Sequence, residues 1–365
     1  MNVRRFCQLA ARLLRHPAAP YHEAAVRAEV EQICSEHGLD FERDRFGNVL
    51  IRLETVPHSR PLAFAAHLDH PGFEVARQLS GQRWLVRFRG GVPDHYFRPG
   101  IPVRLMPGAV HATLGGCKDK KERVFEVCCP HPTSTPTKFA VWELEDFAVR
   151  RGRIHARACD DLIGVASALA ALIELKEKRA RVNVVAVLSR AEEVGFHGAL
   201  AVAANRGLPK TTLVVSLETS RELAGVKMGR GVILRVGDRT SVFDSDASRY
   251  LGEIAADLST RRAGFQFQRG LMSGGTCEAT AYQEFGFKSA AVCVALGNYH
   301  NCGERNRIRA EYVSIGDACG MVDLLVAAAQ KMPDYYRLTA KLPQRLRKLL
   351  RDAQPALRKT ASAAA

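Results

Sequence analysis

The chain has 365 residues, 47% hydrophobic and 25% charged, an ordinary globular balance and enough length for a catalytic domain plus a smaller one. Its 53 Lys and Arg against 38 Asp and Glu give a net charge of +15. No apolar run approaches the ~18 residues of a membrane span, and the N-terminal stretch reads as a helix, without the apolar core of a signal peptide. The ten cysteines follow no framework spacing and include no CxxC pair, which argues for free thiols in a reducing cytoplasm.

Residues 1–36 carry apolar positions at helical spacing, among them Phe6, Leu9, Leu13, Val26, Val30 and Ile33. FGNVLIRLE (46–54) predicts a strand after an Asn/Gly turn, and the continuously apolar LAFAAH (62–67) predicts a buried strand. From about 76 to 152 the texture changes to short alternating runs such as RWLVRFR and KFAVWELE, broken by Gly and Pro turns. A strand–helix rhythm then returns. It gives a helix over 160–178, strands at 182–189, 212–218 and 289–296, helices at 197–205 and 246–261, and a closing helix at 314–331. The expected architecture is α/β: a mostly parallel or mixed central sheet flanked by helices, with an inserted small β domain. The expected divisions are 1–75 with 153–332 for the catalytic domain, 76–152 for the insert and 333–365 for a basic C-terminal tail.

Five segments end in groups able to bind a divalent metal: AAHLDHPG with His67 and Asp69, ARACDDLIG with Asp160 and Asp161, SRAEEVGFHGA with Glu192 and Glu193, VVSLETS with Glu218, and ALGNYHNCGE with His300. Sites in open α/β sheets form at the carboxyl ends of strands, where most of these segments lie. Two imidazoles with several carboxylates are the ligand set of a two-metal hydrolytic site, in which two ions share and acidify a water. Imidazole with carboxylate suits zinc, with cobalt or manganese as substitutes. The adjacent Glu192 and Glu193 offer one carboxylate for metal and one for the proton. His70, His95, His155 and His197 have no place in this pattern and read as structural or surface residues. Cys159, Cys277 and Cys302 read as packed thiols.

The order HxD … DD … EEVGxxGA … acidic residue … H resembles the dinuclear metallo-aminopeptidases of the glutamyl aminopeptidase and tetrahedral aminopeptidase family, over about residues 5–330. DRFGNVLIRL, GRGVILRVGD and GGTCEA are similar to further family segments. The resemblance implies that His67, Asp160 and Glu218 bind one metal, with Asp160 bridging, and that Glu193 and His300 bind the other. It implies Glu192 as general base, Asp69 as the group that orients His67, and a cis peptide between Asp160 and Asp161. The activity it implies is removal of N-terminal residues from peptides, with a metal-bridged hydroxide as nucleophile. An insert between the His67 and Asp160 segments is similar to the family's β-barrel or PDZ-like domain, used in dimer contacts and higher assembly. The expected partners are thus peptide substrates and further copies of the chain, at least a dimer and up to a twelve-subunit shell. The chain departs from the family with HLDHPG for HMDEVG, Glu218 for Asp, Cys277 in GGTCEA for the Asp of GGTDA, and YHNCGE for HSPxE. These departures bear on the substrate pocket more than on the metals.

Two other functions fit the same residues: a carboxypeptidase- or deacylase-type amidohydrolase of the same clan, and an inactive scaffold whose basic tail is the working surface. Residues 331–365 hold nine Lys and Arg against Asp334 and Asp352. That tail reads as a basic helix fading into a solvated, partly disordered terminus. A patch for nucleic acid, anionic lipid or an acidic partner is the sharper alternative.

Overall fold

Two helices, α1 (Val3–Leu14) and α2 (Ala24–Glu36), form from the N-terminal apolar stripes and bury Phe6, Leu9, Leu13, Val26, Val30 and Ile33. The Asn2 side chain caps α1 by accepting the Arg5 amide at 3.1 Å. The computed structural model describes residues 1–56, 59–134 and 136–361.

Strands β1 (Asp40–Arg43), β2 (Val49–Glu54) and β3 (Leu62–His67) begin the central sheet. The chain then leaves it for β4 (Gly72–Ser80), β5 (Arg83–Arg89), β6 (Pro102–Pro107), β7 (Val110–Asp119), β8 (Val124–Cys128) and β9 (Thr137–Trp142), which close into an antiparallel barrel. In β5 the buried residues are Trp84, Val86 and Phe88, the period of two that lets one face of a strand line a barrel. Phe73 meets Phe88 and Trp142 edge to face, each at 4.9 Å between ring centroids. Each such buried side chain contributes about 1.5–3 kcal/mol. The barrel strands run from Gly72 to Trp142, while β10 (Ala148–Arg150) and β11 (Arg153–Ala156) pair within the central sheet.

The rest of the sheet follows: α3 (Cys159–Glu177), β12 (Asn183–Ser189), α4 (His197–Ala204), β13 (Leu213–Arg221), β14 (Val232–Gly237), α5 (Ser245–Arg261), β15 (Phe267–Leu271), α6 (Glu278–Glu284) and β16 (Lys288–Gly297). After two short pieces, β17 (Cys302–Gly303) and β18 (Arg307–Ile308), come β19 (Glu311–Ser314) and α7 (Ile315–Lys331). The strand order is β1-β2-β12-β3-β13-β16-β19-β11-β10, with β14 beside β16 and β15 beside β14. The sheet is mixed. Its centre, β12-β3-β13-β16, is parallel and its flanks are largely antiparallel. Helix α3 is apolar nearly all round and correspondingly buried, packed by its small side chains between the sheet, α1 and α7.

One local expectation changes. Glu218 lies within β13, three residues before its end, and not at a strand terminus. The basic helix read in the C-terminal tail is α8 (Tyr335–Ala361), which continues through two internal prolines, Pro343 and Pro355. The remaining tail residues, 362–365, lie outside the described residues.

Candidate metal centre

The parallel strands β12, β3, β13 and β16 bring their carboxyl ends to one edge. His67 ends β3 and pairs in register with Ser189, the last residue of β12, so the loops bearing Asp69 and Glu192–Glu193 leave side by side. Glu218 enters from β13, beside β3. His300 sits in the turn after β16, where Asn298, His300 and Asn301 all have left-handed backbone. Asp160 and Asp161 have non-helical backbone at the start of α3, and the peptide between them is cis, as the resemblance implies.

All five proposed metal ligands converge. Asp160 Oδ1 is 3.6 Å from His67 Nε2, and Asp160 Oδ2 is 3.5 Å from His300 Nε2. Glu193 Oε1 is 3.3 Å from His300 Nε2, and Glu192 Oε2 is 3.8 Å from His67 Nε2. Ligand atoms of His67, Asp160 and Glu218 lie within 4.8 Å of one another, as do those of Asp160, Glu193 and His300, and those of His67, Glu192 and Glu193. Asp160 belongs to the first two groups, so it stands between them.

The two imidazoles are oriented alike. His67 Nδ1 donates to the Asp69 carbonyl at 3.1 Å, and His300 Nδ1 donates to the Gly91 carbonyl at 2.9 Å. A carbonyl only accepts, so each ring carries a proton on Nδ1 and turns Nε2 toward the carboxylates, the nitrogen that a metal would take. Gly91 lies in the loop after β5, so the barrel segment holds one of the two rings. Tyr96 of the same segment donates to the Gly303 carbonyl at 3.0 Å, beyond the His300 turn.

The loop with the two glutamates is held amide by amide. The backbone N–H of Arg190 donates to Asn48 Oδ1, that of Ala191 to Glu23 Oε1, and those of Glu192 and Glu193 to the two oxygens of Asp69, all at 2.9–3.1 Å. The Asp69 side chain therefore fixes the glutamate loop, while His67 is held chiefly by the Asp69 carbonyl; Asp69 Oδ1 stands 3.6 Å from His67 Nδ1. Asn48 belongs to the DRFGN turn, where Asp44 accepts its amide and its side chain. That motif thus buttresses the site from two strands away.

The electrostatics fit a bound cation. Burial pushes the Glu192 carboxyl well above the usual range and Glu218 up to about 8. Burial opposes charging His67 and His300, yet the carboxylates around them raise both well above the ordinary imidazole value. Asp160, despite its burial, is held low by the facing His300 and His67. Asp160 Oδ1, Asp161 Oδ2 and Glu193 Oε1 are buried without a hydrogen-bond partner among the described residues. Unpartnered buried carboxylate oxygens facing imidazole nitrogens fit divalent metal, because buried charges are paired or coordinate metals.

Several groups that shape the site carry no motif. Glu311, fully buried in β19, accepts the amides of Asp160 and His300. His70, expected to be structural or surface, is buried against the site, with Nδ1 donating to the Asp160 carbonyl at 2.7 Å and Nε2 3.0 Å from Asn301 Oδ1. Glu278 is buried behind the centre, its carboxyl pushed up to about 7 by burial, and accepts from Ser189. His95, His155 and His197 are not among the groups that meet at the centre. Cys159 and Cys277 are buried, and all ten cysteines are free.

No curated protein matches the chain. Solved structures do. The TET1 peptidase of Pyrococcus horikoshii, which can assemble into a tetrahedron or a large octahedral shell, is 21% identical with a TM-score of 0.72 over 89% of this chain and 97% of its own. An aminopeptidase of the archaeon Desulfurococcus kamchatkensis is 20% identical with a TM-score of 0.73, over 91% and 97%. A TET aminopeptidase of a marine-sediment archaeon of the Thaumarchaeota is 18% identical with a TM-score of 0.76, over 91% and 99%. At these identities the likeness is one of fold. A family model supplies the rest: M42 glutamyl aminopeptidase, whose peptidases are metal dependent, matches residues 135–312, the stretch that carries Asp160, Glu193, Glu218 and His300. Over residues 135–312 the chain is thus similar to the M42 glutamyl aminopeptidase family, and that match supports a peptide hydrolase.

Proposed function

We propose that the protein is a dinuclear metal aminopeptidase that removes N-terminal residues from peptides. One observation carries the reading: the two oxygens of the Asp160 carboxylate face two different imidazoles, at 3.6 and 3.5 Å. His67, Asp160 and Glu218 would hold one divalent ion, and Glu193, His300 and the shared Asp160 the other. Zinc suits this donor set, and cobalt or manganese could replace it. When bound, such a pair supplies an acidified water and a Lewis acid for the scissile carbonyl.

The remaining steps belong to the chain. Glu192 takes the proton of the attacking water and returns it to the leaving amine. Burial raises the Glu192 carboxyl well above its usual range, the direction that favours proton acceptance. Asp69 keeps Glu192 and Glu193 in register through their amides. A pocket bounded by Glu218, Arg221, Arg235, Met272, Thr276 and Tyr299 adjoins the centre and would receive the first side chain of the peptide. The chain works as a homo-oligomer, at least a dimer, with the barrel segment 76–152 in assembly and substrate access; the tetrahedral assembly of the TET1 peptidase supports this. Ten free cysteines fit a reducing, cytoplasmic setting. No helix among the described residues is long and apolar enough to cross a membrane.

Hydrolysis of a panel of aminoacyl anilides, set against their N-acetylated forms and with zinc, cobalt or manganese added, tests the reading. Free-amine substrates should turn over and N-acetylated ones should not. Preferential cleavage of N-acylated substrates would move the protein to the deacylase class, and no cleavage of either would leave an inactive scaffold.

A further inference from the structure

Helix α8 does two things along its length. Its first turns pack on the body: Tyr335 and Leu338 are buried, Tyr335 lies 5.2 Å from Tyr250 of α5, and Lys341 pairs with Glu253 of α5. From there the same apolar stripe continues, largely exposed. Leu346, Leu349, Leu350 and Leu357 are 55%, 53%, 55% and 57% exposed. At 3.6 residues per turn, Leu342, Leu346, Leu349, Leu350, Ala353, Ala356 and Leu357 fall within one arc of about 120°. The cations Lys341, Arg345, Arg347, Lys348, Arg351, Arg358 and Lys359 all fall outside it. The sole acid over 341–361 is Asp352, which pairs with Lys348.

We propose that residues 341–361 form a peripheral arm that lies on a membrane surface rich in anionic phospholipid. Charge and apolar complementarity select this occupant. A nucleic acid would neutralise the cations and leave the leucine arc in water. A second copy of the helix would bury the leucines but press two sets of cations together with almost no acid to separate them. An anionic bilayer takes the leucines into the acyl boundary and the cations among the headgroups, which is how a helix with one apolar arc and a Lys/Arg-rich remainder binds. The arm does not span, and its base on α5 keeps the catalytic body on the water side.

The test is co-sedimentation of the full chain with vesicles of phosphatidylcholine alone and of phosphatidylcholine mixed with phosphatidylglycerol. The mixed vesicles should bind the protein roughly tenfold or more tightly. Leu346→Gln with Leu350→Gln, and separately Arg345→Gln with Arg347→Gln and Arg351→Gln, should each cut that binding about tenfold, with thermal unfolding of the body unchanged. Equal or absent binding to both vesicles would overturn the proposal. So would leucine variants that bind anionic vesicles like the parent, which marks simple polyanion attraction, or leucine variants that change only the oligomeric mass, which marks a copy–copy interface.

Discussion

One carboxylate oxygen of Glu311 accepts the backbone amide of Asp160 at 3.0 Å, and its other oxygen accepts the amide of His300 at 2.8 Å. The Asp160 carboxylate and the last imidazole are thereby tied to one buried group on β19, although their loops are more than a hundred residues apart in the chain. A glutamine at 311 offers one acceptor and one donor to two amides that both donate. Glu311→Gln should therefore weaken metal retention about ten- to a hundredfold, the usual cost of losing a group that orients ligands. Metal content after dialysis against graded chelator checks this, and unchanged retention would remove Glu311 from the account.

Asp69 predicts a parallel outcome through a different loop. Its two oxygens accept the amides of Glu192 and Glu193, and an asparagine can satisfy only one of them. Asp69→Asn should lower kcat and metal affinity together, each by roughly ten- to a hundredfold. Were Asp69 to act only on the His67 ring, metal affinity would fall while the kcat of metal-saturated enzyme stayed at the parent value.

Gly198 tests the packing beneath that loop. A Cβ there would stand 2.4 Å from both the Arg190 amide nitrogen and Asn48 Oδ1, the pair that forms the first clamp. Gly198→Ala should destabilise the fold by about 1–3 kcal/mol, since overpacking must shift backbone, and should depress activity with it. Urea unfolding beside a turnover assay reads both.

Metal removal should be felt as stability. The fold gathers His67, Asp160, Glu193, Glu218 and His300 from five separate segments, so an ion there binds the folded state selectively. A ligand at a thousand times its Kd contributes about 4 kcal/mol by mass action. Thermal unfolding with chelator should fall by several degrees against the zinc-loaded protein, and coincident curves would contradict a resident metal.

How much of this was readable beforehand follows from what makes a pattern local. Most of the ligand segments could be read because a continuously apolar strand carries or precedes the carboxylate or imidazole, while Asp160 opens an apolar helix. The mixed sheet and the barrel could be read from the switch between continuous apolar runs and alternation. Glu23, Asn48, Glu311 and His70 could not be assigned, because each acts by a hydrogen bond to a residue roughly 10 to 170 positions away and leaves no periodic trace. Asp69 was found for its spacing to His67, yet its side chain serves the next loop across the sheet edge.

The central claim is that Glu192 handles protons while its neighbour Glu193 holds metal. Glu192→Gln keeps shape and removes the ionisable group, so the decisive measurement is metal content and kcat on an aminoacyl anilide in one preparation of that variant. The account predicts metal content equal to the parent and kcat reduced by a factor of about 100 to 10,000. Parental turnover, or loss of metal along with activity, would contradict it.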